Sequence, residues 1–123
     1  MRPFLAIVLS ILCSAALSQA PADPAQHEIA GLFARLEQSN CEFNRNGSWY
    51  DAKQASDHLR QKYDYLVRRH LVTNAESFID LAASKSSMSG KPYLVRCAGE
   101  PAIESRAWFM HELEALRGNS AHP

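Results

Sequence analysis

Behind Arg2 the chain carries FLAIVLSILCSAAL, residues 4–17, a mostly apolar run followed by small residues. It reads as an export signal. That limits what the rest can become, because export decides the fate of the cysteines. A membrane-spanning helix needs about 20 apolar residues, so the run is short for an anchor. Ser10-Ile11-Leu12 ahead of Cys13 lacks the small residues of a lipidation site. Cleavage after Ala22 puts Ala20 and Ala22 at the small positions, whereas cleavage after Ala20 would leave Pro21 next to the cut. The expectation is a signal peptide at 1–22 and a single domain at 23–123, periplasmic, with no membrane span.

Cleavage removes Cys13 and leaves 101 residues with Cys41 and Cys97. A pair of cysteines in an exported chain predicts a disulfide; two buried free thiols are the alternative. The bridge would close a loop long enough to be worth about 4 kcal/mol by loop entropy. The 13 basic and 13 acidic side chains balance, which argues against a strongly basic nucleic-acid binder. At 46% apolar residues the chain is too hydrophobic for a disordered tail.

Apolar spacing predicts four helices. The first spans about Pro24 to Ser39, with Asp23 and Gln26 as a capping box and Ile29, Leu32, Phe33 and Leu36 as its stripe. The second runs from about Asp51 to His70, capped by Asp51 and Gln54, with Ala52, Ala55, Leu59, Tyr63 and Leu66 inward. A third starts at Thr73 through a box with Glu76, and Phe78, Ile79 and Ala82 face the core. The last covers about Glu104 to Arg117, carries Trp108, Phe109, Leu113 and Leu116, and stops at Gly118.

Two strands are predicted, Cys41 to Arg45 and Tyr93 to Cys97, the first broken by Asn46-Gly47. An antiparallel register with Cys41 opposite Cys97 sets Phe43 against Val95 and Glu42 against Arg96. A parallel one would put Phe43 against Gly99. The expected fold is α+β: four helices packed around a small antiparallel two-stranded ribbon with one disulfide.

One combination of motifs carries a resemblance. Arg45-Asn46-Gly47, Tyr50, Ala55, His58-Leu59, Lys62, Ala75-Glu76, Phe78-Ile79, Ala82, Ser86-Ser87 and Gly90-Lys91-Pro92-Tyr93 occur in that order. From Phe43 to Arg117 the chain resembles the YfeK-like family, small periplasmic bacterial proteins with a domain of unknown function. The resemblance implies a periplasmic location and no particular activity.

The chemistry-bearing residues point to binding more than to catalysis. No histidine pair sits at i, i+4, and neither HExxH nor CxxC occurs, so no metal site and no cofactor is implied. G-x-S-x-G is absent. Residues 45–96 hold nine basic and five acidic side chains between acidic flanks, a distribution that attracts anions unless it only solvates the outer face of the long helix. His58 and Lys62 share one face of that helix. The SKSSMSGK loop, residues 84–91, offers serine hydroxyls, backbone N–H groups around Gly90 and the Lys91 ammonium. Trp49, Tyr50 and Tyr93 offer rings beside Arg45, although core packing explains the tyrosines equally well.

The candidate binding residues are therefore Arg45, Asn46, Tyr50, His58, Lys62, Ser86, Ser87, Gly90, Lys91 and Tyr93. The expected function is a non-enzymatic binding or accessory domain. Its partner would be an envelope protein or an anionic envelope component, such as a peptidoglycan carboxylate or a phosphorylated glycolipid. The alternatives are a small hydrolase using His58 and a loop serine, with Asp57 or Asp80 as orienter, and an inhibitor-like protein with a rigid loop.

Overall fold

A computed structural model of the chain describes residue 3 and residues 23–120. Apart from residue 3, the expected signal at 1–22 lies outside the described residues, as does the end of the tail, residues 121–123. The elements run α1 (Pro24–Gln38), β1 (Glu42–Arg45), β2 (Ser48–Tyr50), α2 (Ala52–Arg68), α3 (Ala75–Ala82), β3 (Leu94–Arg96), β4 (Ile103–Glu104) and α4 (Ser105–Ser120). The α+β class and the four helices stand. The sheet has four antiparallel strands, not two, in the order β2-β1-β3-β4. Among the described residues no helix is long and apolar enough to cross a membrane.

Hydrophobic pairing and the disulfide agree on the central register. Glu42 lies opposite Arg96 and Phe43 opposite Val95. Cys41 and Cys97, one residue beyond these strand ends, are bonded with their α-carbons 4.3 Å apart. The alternation of a strand then fixes the two faces. Phe43, Arg45, Tyr50 and Val95 face the helices, while Glu42, Trp49 and Arg96 share the other side. There the Arg96 guanidinium sits 3.9 Å from the centre of the Trp49 ring and pairs with Glu42. Trp49 is thus engaged with Arg96, and Arg45 lies on the opposite face of the sheet.

The two additional strands were hidden by their length. Asn46 and Gly47 both take positive φ, 52° and 88°, and close a two-residue hairpin instead of simply ending a strand. The returning strand β2 has three residues before the Asp51 cap. Strand β4 has two, Ile103 and Glu104, directly ahead of α4. Pairs this short leave no periodicity to read.

Helix ends show how local hydrogen bonding decides boundaries. The Asp51–Gln54 box forms as expected. In α1 the Asp23 carboxylate accepts from the N–H of Ala25, and Gln26 does not complete a box. Helix α3 is capped by Asn74 with Ser77, not by Thr73 with Glu76. Asn is a better N-cap than Thr, and Glu76 pairs with Arg117 instead. Helix α2 ends at Arg68, short of His70, in a Schellman turn: the His70 N–H donates to the Val67 carbonyl and the Leu71 N–H to that of Leu66. His70 takes the left-handed position at φ 56°. Gly118 does not stop α4, which continues to Ser120 with no positive φ at that glycine.

The core lies between the inner sheet face and the helices. Phe33, Phe78 and Phe109 form a tilted and edge-on chain of rings that reaches Phe43 and Trp108. Ile29, Leu32, Leu36, Ile79, Val95 and Leu113 fill the space around it, each at most 1% exposed. The buried Ser56 hydroxyl donates to Glu37 at 2.6 Å and fixes α2 against α1. That bond and the Arg60 guanidinium hold the Glu37 carboxyl below its usual pKa.

Because the bridge links residues 56 apart, its loss frees a large denatured ensemble. The Cys41→Ser, Cys97→Ser double variant is expected to be about 2–4 kcal/mol less stable in denaturant unfolding. Equal midpoints for the variant and the oxidised protein would show that the sheet register needs no covalent support.

Candidate functional site

Alternation along β1 turns Arg45 inward beside Phe43, and helical spacing places His58 and Lys62 one turn apart on the side of α2 that faces it. Tyr93, just ahead of β3, completes the group. The Arg45 Nη1 donates to His58 Nδ1 at 2.8 Å. His58 Nε2 and the Lys62 Nζ each lie 3.2 Å from the Tyr93 hydroxyl. Lys62 also donates to the Lys85 carbonyl at 3.1 Å, and the Arg45 guanidinium lies 5.2 Å from the centre of the Tyr50 ring.

These contacts bear on the tautomer of His58. The same Arg45 nitrogen lies 3.3 Å from Nε2, and because a guanidinium can only donate, its shorter contact favours acceptance at Nδ1 with the ring proton on Nε2. Tyr93 then accepts from both His58 and Lys62, and its own proton has no partner among the described residues. Burial, reinforced by Arg45 and Lys62, keeps the His58 pKa below its ordinary value, so the ring is neutral. Burial first, then Arg45, lowers the Lys62 pKa to about 8. Burial raises the Tyr93 pKa against the opposing effect of Arg45. The result is a connected set of donors carrying two positive charges at neutral pH. Among the described residues no carboxylate pairs with Arg45 or Lys62, whereas Arg35, Lys53, Arg60, Arg96, Arg106 and Arg117 all have one.

Two hollows flank His58. One, of about 160 Å³, lies between the sheet and α2 and is lined by Phe43, Tyr50, Ala55 and Leu59 together with Arg45 and His58. The other is a shallower depression where Lys62 meets Tyr65, Leu81 and Ser87.

Of the ten residues singled out from sequence, five meet in this cluster: Arg45, Tyr50, His58, Lys62 and Tyr93. Asn46 and Ser86 do different work. The Asn46 amide donates to the Ser86 hydroxyl at 3.4 Å and accepts from the Ser89 hydroxyl at 2.6 Å, tying the hairpin turn to the 84–91 loop. The loop does not present its backbone as an anion cradle. The N–H groups of Ser86, Ser89, Gly90 and Lys91 bond to oxygens of the loop itself. Gly90, at φ 72°, supplies a conformation that suits glycine. The Lys91 side chain is exposed and forms no ion pair with a described residue. Ser87 reaches only the outer depression.

The hydrolase constellation is not assembled. Both ring nitrogens of His58 face Arg45 and Tyr93, no serine hydroxyl bonds to them, and the group behind the ring is a cation where a triad needs a carboxylate. Asp57 pairs with Lys53 and Asp80 with Arg106. No group of three or more histidine, cysteine, aspartate or glutamate side chains among the described residues could hold a metal ion. Sequence reasoning missed Gln54, Ala55, Leu59 and Ser105 as walls of the inner hollow. The signal was present for three of them, since Gln54, Ala55 and Leu59 lie one turn or one residue from His58.

The fold and this unpaired basic cluster define a small α+β domain with a candidate anion site. A family model described as a family of unknown function, DUF5329, matches residues 23–117, and the chain belongs to that family. It is similar to the uncharacterized protein YfeK of Salmonella typhimurium, 39% identical over 71 residues, which cover 54% of this chain and 58% of the relative. The alignment thus spans little more than half of either protein. No solved structure matches.

A histidine held neutral by folding gives a definite pH dependence. Unfolding returns His58 to its ordinary pKa of 6.5, so the unfolded chain binds more protons below that value and stability falls as the pH drops through it. The thermal midpoint is expected to decline from pH 6.5 to 5, and His58→Gln to flatten that decline. A wild-type midpoint that stays level over this range would contradict a neutral, buried ring.

Proposed function

We propose that this protein is an exported, non-catalytic binding or accessory domain that recognises an anionic group on an envelope component or envelope protein. The observation that supports this reading is the Arg45–His58–Tyr93–Lys62 chain, two cations and two neutral donors with no carboxylate among them. Leaving two charges partly buried and unpaired is costly. An incoming carboxylate or phosphate would relieve that cost and accept charge-assisted hydrogen bonds. The net positive stretch between acidic flanks would steer such a ligand toward the site. Residues 84–91 shape the rim through Asn46 and do not supply the anion's donors in this reading.

Titration of the protein with inorganic phosphate and with acetate, followed by NMR at the Arg45 and Lys62 side chains, tests it directly. Arg45→Gln and Lys62→Met are each expected to weaken binding about tenfold, the size of one charge-assisted bond, while Lys91→Ala leaves it unchanged. Affinity should fall as the pH rises above about 8, because Lys62 then loses its proton. Equal affinities for wild type and both cluster variants would remove the site.

A further inference from the structure

The inner hollow differs from the cluster it adjoins. It measures about 160 Å³, close to the roughly 150 Å³ of an apolar cavity able to hold a benzene molecule. Phe43, Ala55 and Leu59 give it an apolar floor, and Phe43 and Leu59 are 6% and 4% exposed. Only one cation opens onto it. Arg45 is in its wall, whereas Lys62 belongs to the outer depression. Arg45 engages His58 through Nη1 alone, which leaves Nε and Nη2 to form a fork. Stacking over Tyr50 holds the plane of that fork. Ser105, 1% exposed, lines the same hollow.

We propose that this hollow binds a carboxylate whose body is one compact apolar group, with the anion on Arg45 and the body against Phe43, Ala55 and Leu59. The proposal rests on the reading of Arg45 as an anion-recognising cation and narrows it to a ligand class. A single guanidinium matches a monoanion better than a phosphate dianion. A sugar ring would set hydroxyls against the apolar floor of Phe43, Ala55 and Leu59, which cannot pair them. A six-membered aromatic or short branched aliphatic body fills the volume, and the Ser105 hydroxyl can donate to the second carboxylate oxygen. Such a carboxylate can be a free acid or the C-terminus of a peptide ending in a small apolar residue.

The test titrates protein expressed as the whole chain with acetate, benzoate, inorganic phosphate and a tripeptide ending in alanine, read by NMR at Leu59 methyls and at the Arg45 and Lys62 side chains. Benzoate is expected to bind at least about tenfold tighter than acetate and to shift the Leu59 signals. Ala55→Leu, which fills the hollow with a good helix former, should abolish that difference while leaving the phosphate response at Lys62 intact. Ala55→Val serves as a milder variant, and near-UV circular dichroism checks that both fold. Tripeptide binding stronger than benzoate binding upholds the pocket as a reader of chain ends; the reverse upholds it as a site for a free acid. Benzoate and acetate of equal affinity, or benzoate binding unchanged in both Ala55 variants, overturn the proposal while leaving the basic cluster in place. Silence of Arg45 and Lys62 toward every anion overturns the underlying reading and this proposal together.

Discussion

The pairing of β1 with β3 is the constraint on which the rest depends. A one-residue slip would turn Phe43 and Arg45 outward and bring Glu42 and Asn44 against the helices. Three separate influences forbid it. Phe43 and Val95 meet on the buried face, Glu42 and Arg96 meet on the open one, and the Cys41–Cys97 bond closes the end of the ladder. With the register held, Arg45 has only one place to go, beneath α2 and against His58.

From that placement follows the electrostatic character of the site. Arg45 makes its shorter contact with Nδ1 of His58 and so favours the ring proton on Nε2. That proton and the Lys62 ammonium then converge on the Tyr93 hydroxyl. Arg45 donates to His58, and His58 and Lys62 both donate to Tyr93, so the chain has more protons than acceptors. Arg35, Lys53, Arg60, Arg96, Arg106 and Arg117 find carboxylates, Arg117 with both Glu28 and Glu76, while Arg68, Arg69, Lys85 and Lys91 are exposed to water. Arg45 and Lys62 differ from both groups, being partly buried and still without a carboxylate among the described residues. A histidine–carboxylate pair of the triad kind is not formed, since Arg45 and Tyr93 contact the ring nitrogens of His58.

Much of this architecture is legible in the residues. The stripes of α1 and α3, the Asp51–Gln54 cap, the disulfide and the central strand register follow from spacing, side-chain size and charge matching. The basic cluster is partly legible as well, since His58 and Lys62 share a helix face and Arg45 alternates with Phe43. Strands β2 and β4 are not, because two or three residues carry no period and exist as strands only through their neighbours' hydrogen bonds. Nor could the sequence choose between Thr73–Glu76 and Asn74–Ser77 as the cap of α3. Arg117 draws Glu76 away from across the helix bundle, a contact between residues remote in sequence. The 84–91 loop misleads for a related reason. Its composition advertises donors, and only its folded shape reveals that they face one another.

The sequence by itself determined an α+β chain of four helices, a cross-linked antiparallel pair and a basic middle stretch, because those properties are sums over local residue preferences. The tertiary structure alone decided which basic residues remain without a carboxylate and which apolar side chains border them. Ion pairing and cavity shape arise between elements far apart along the chain. No periodicity encodes the space left between a strand and a helix once both have been packed.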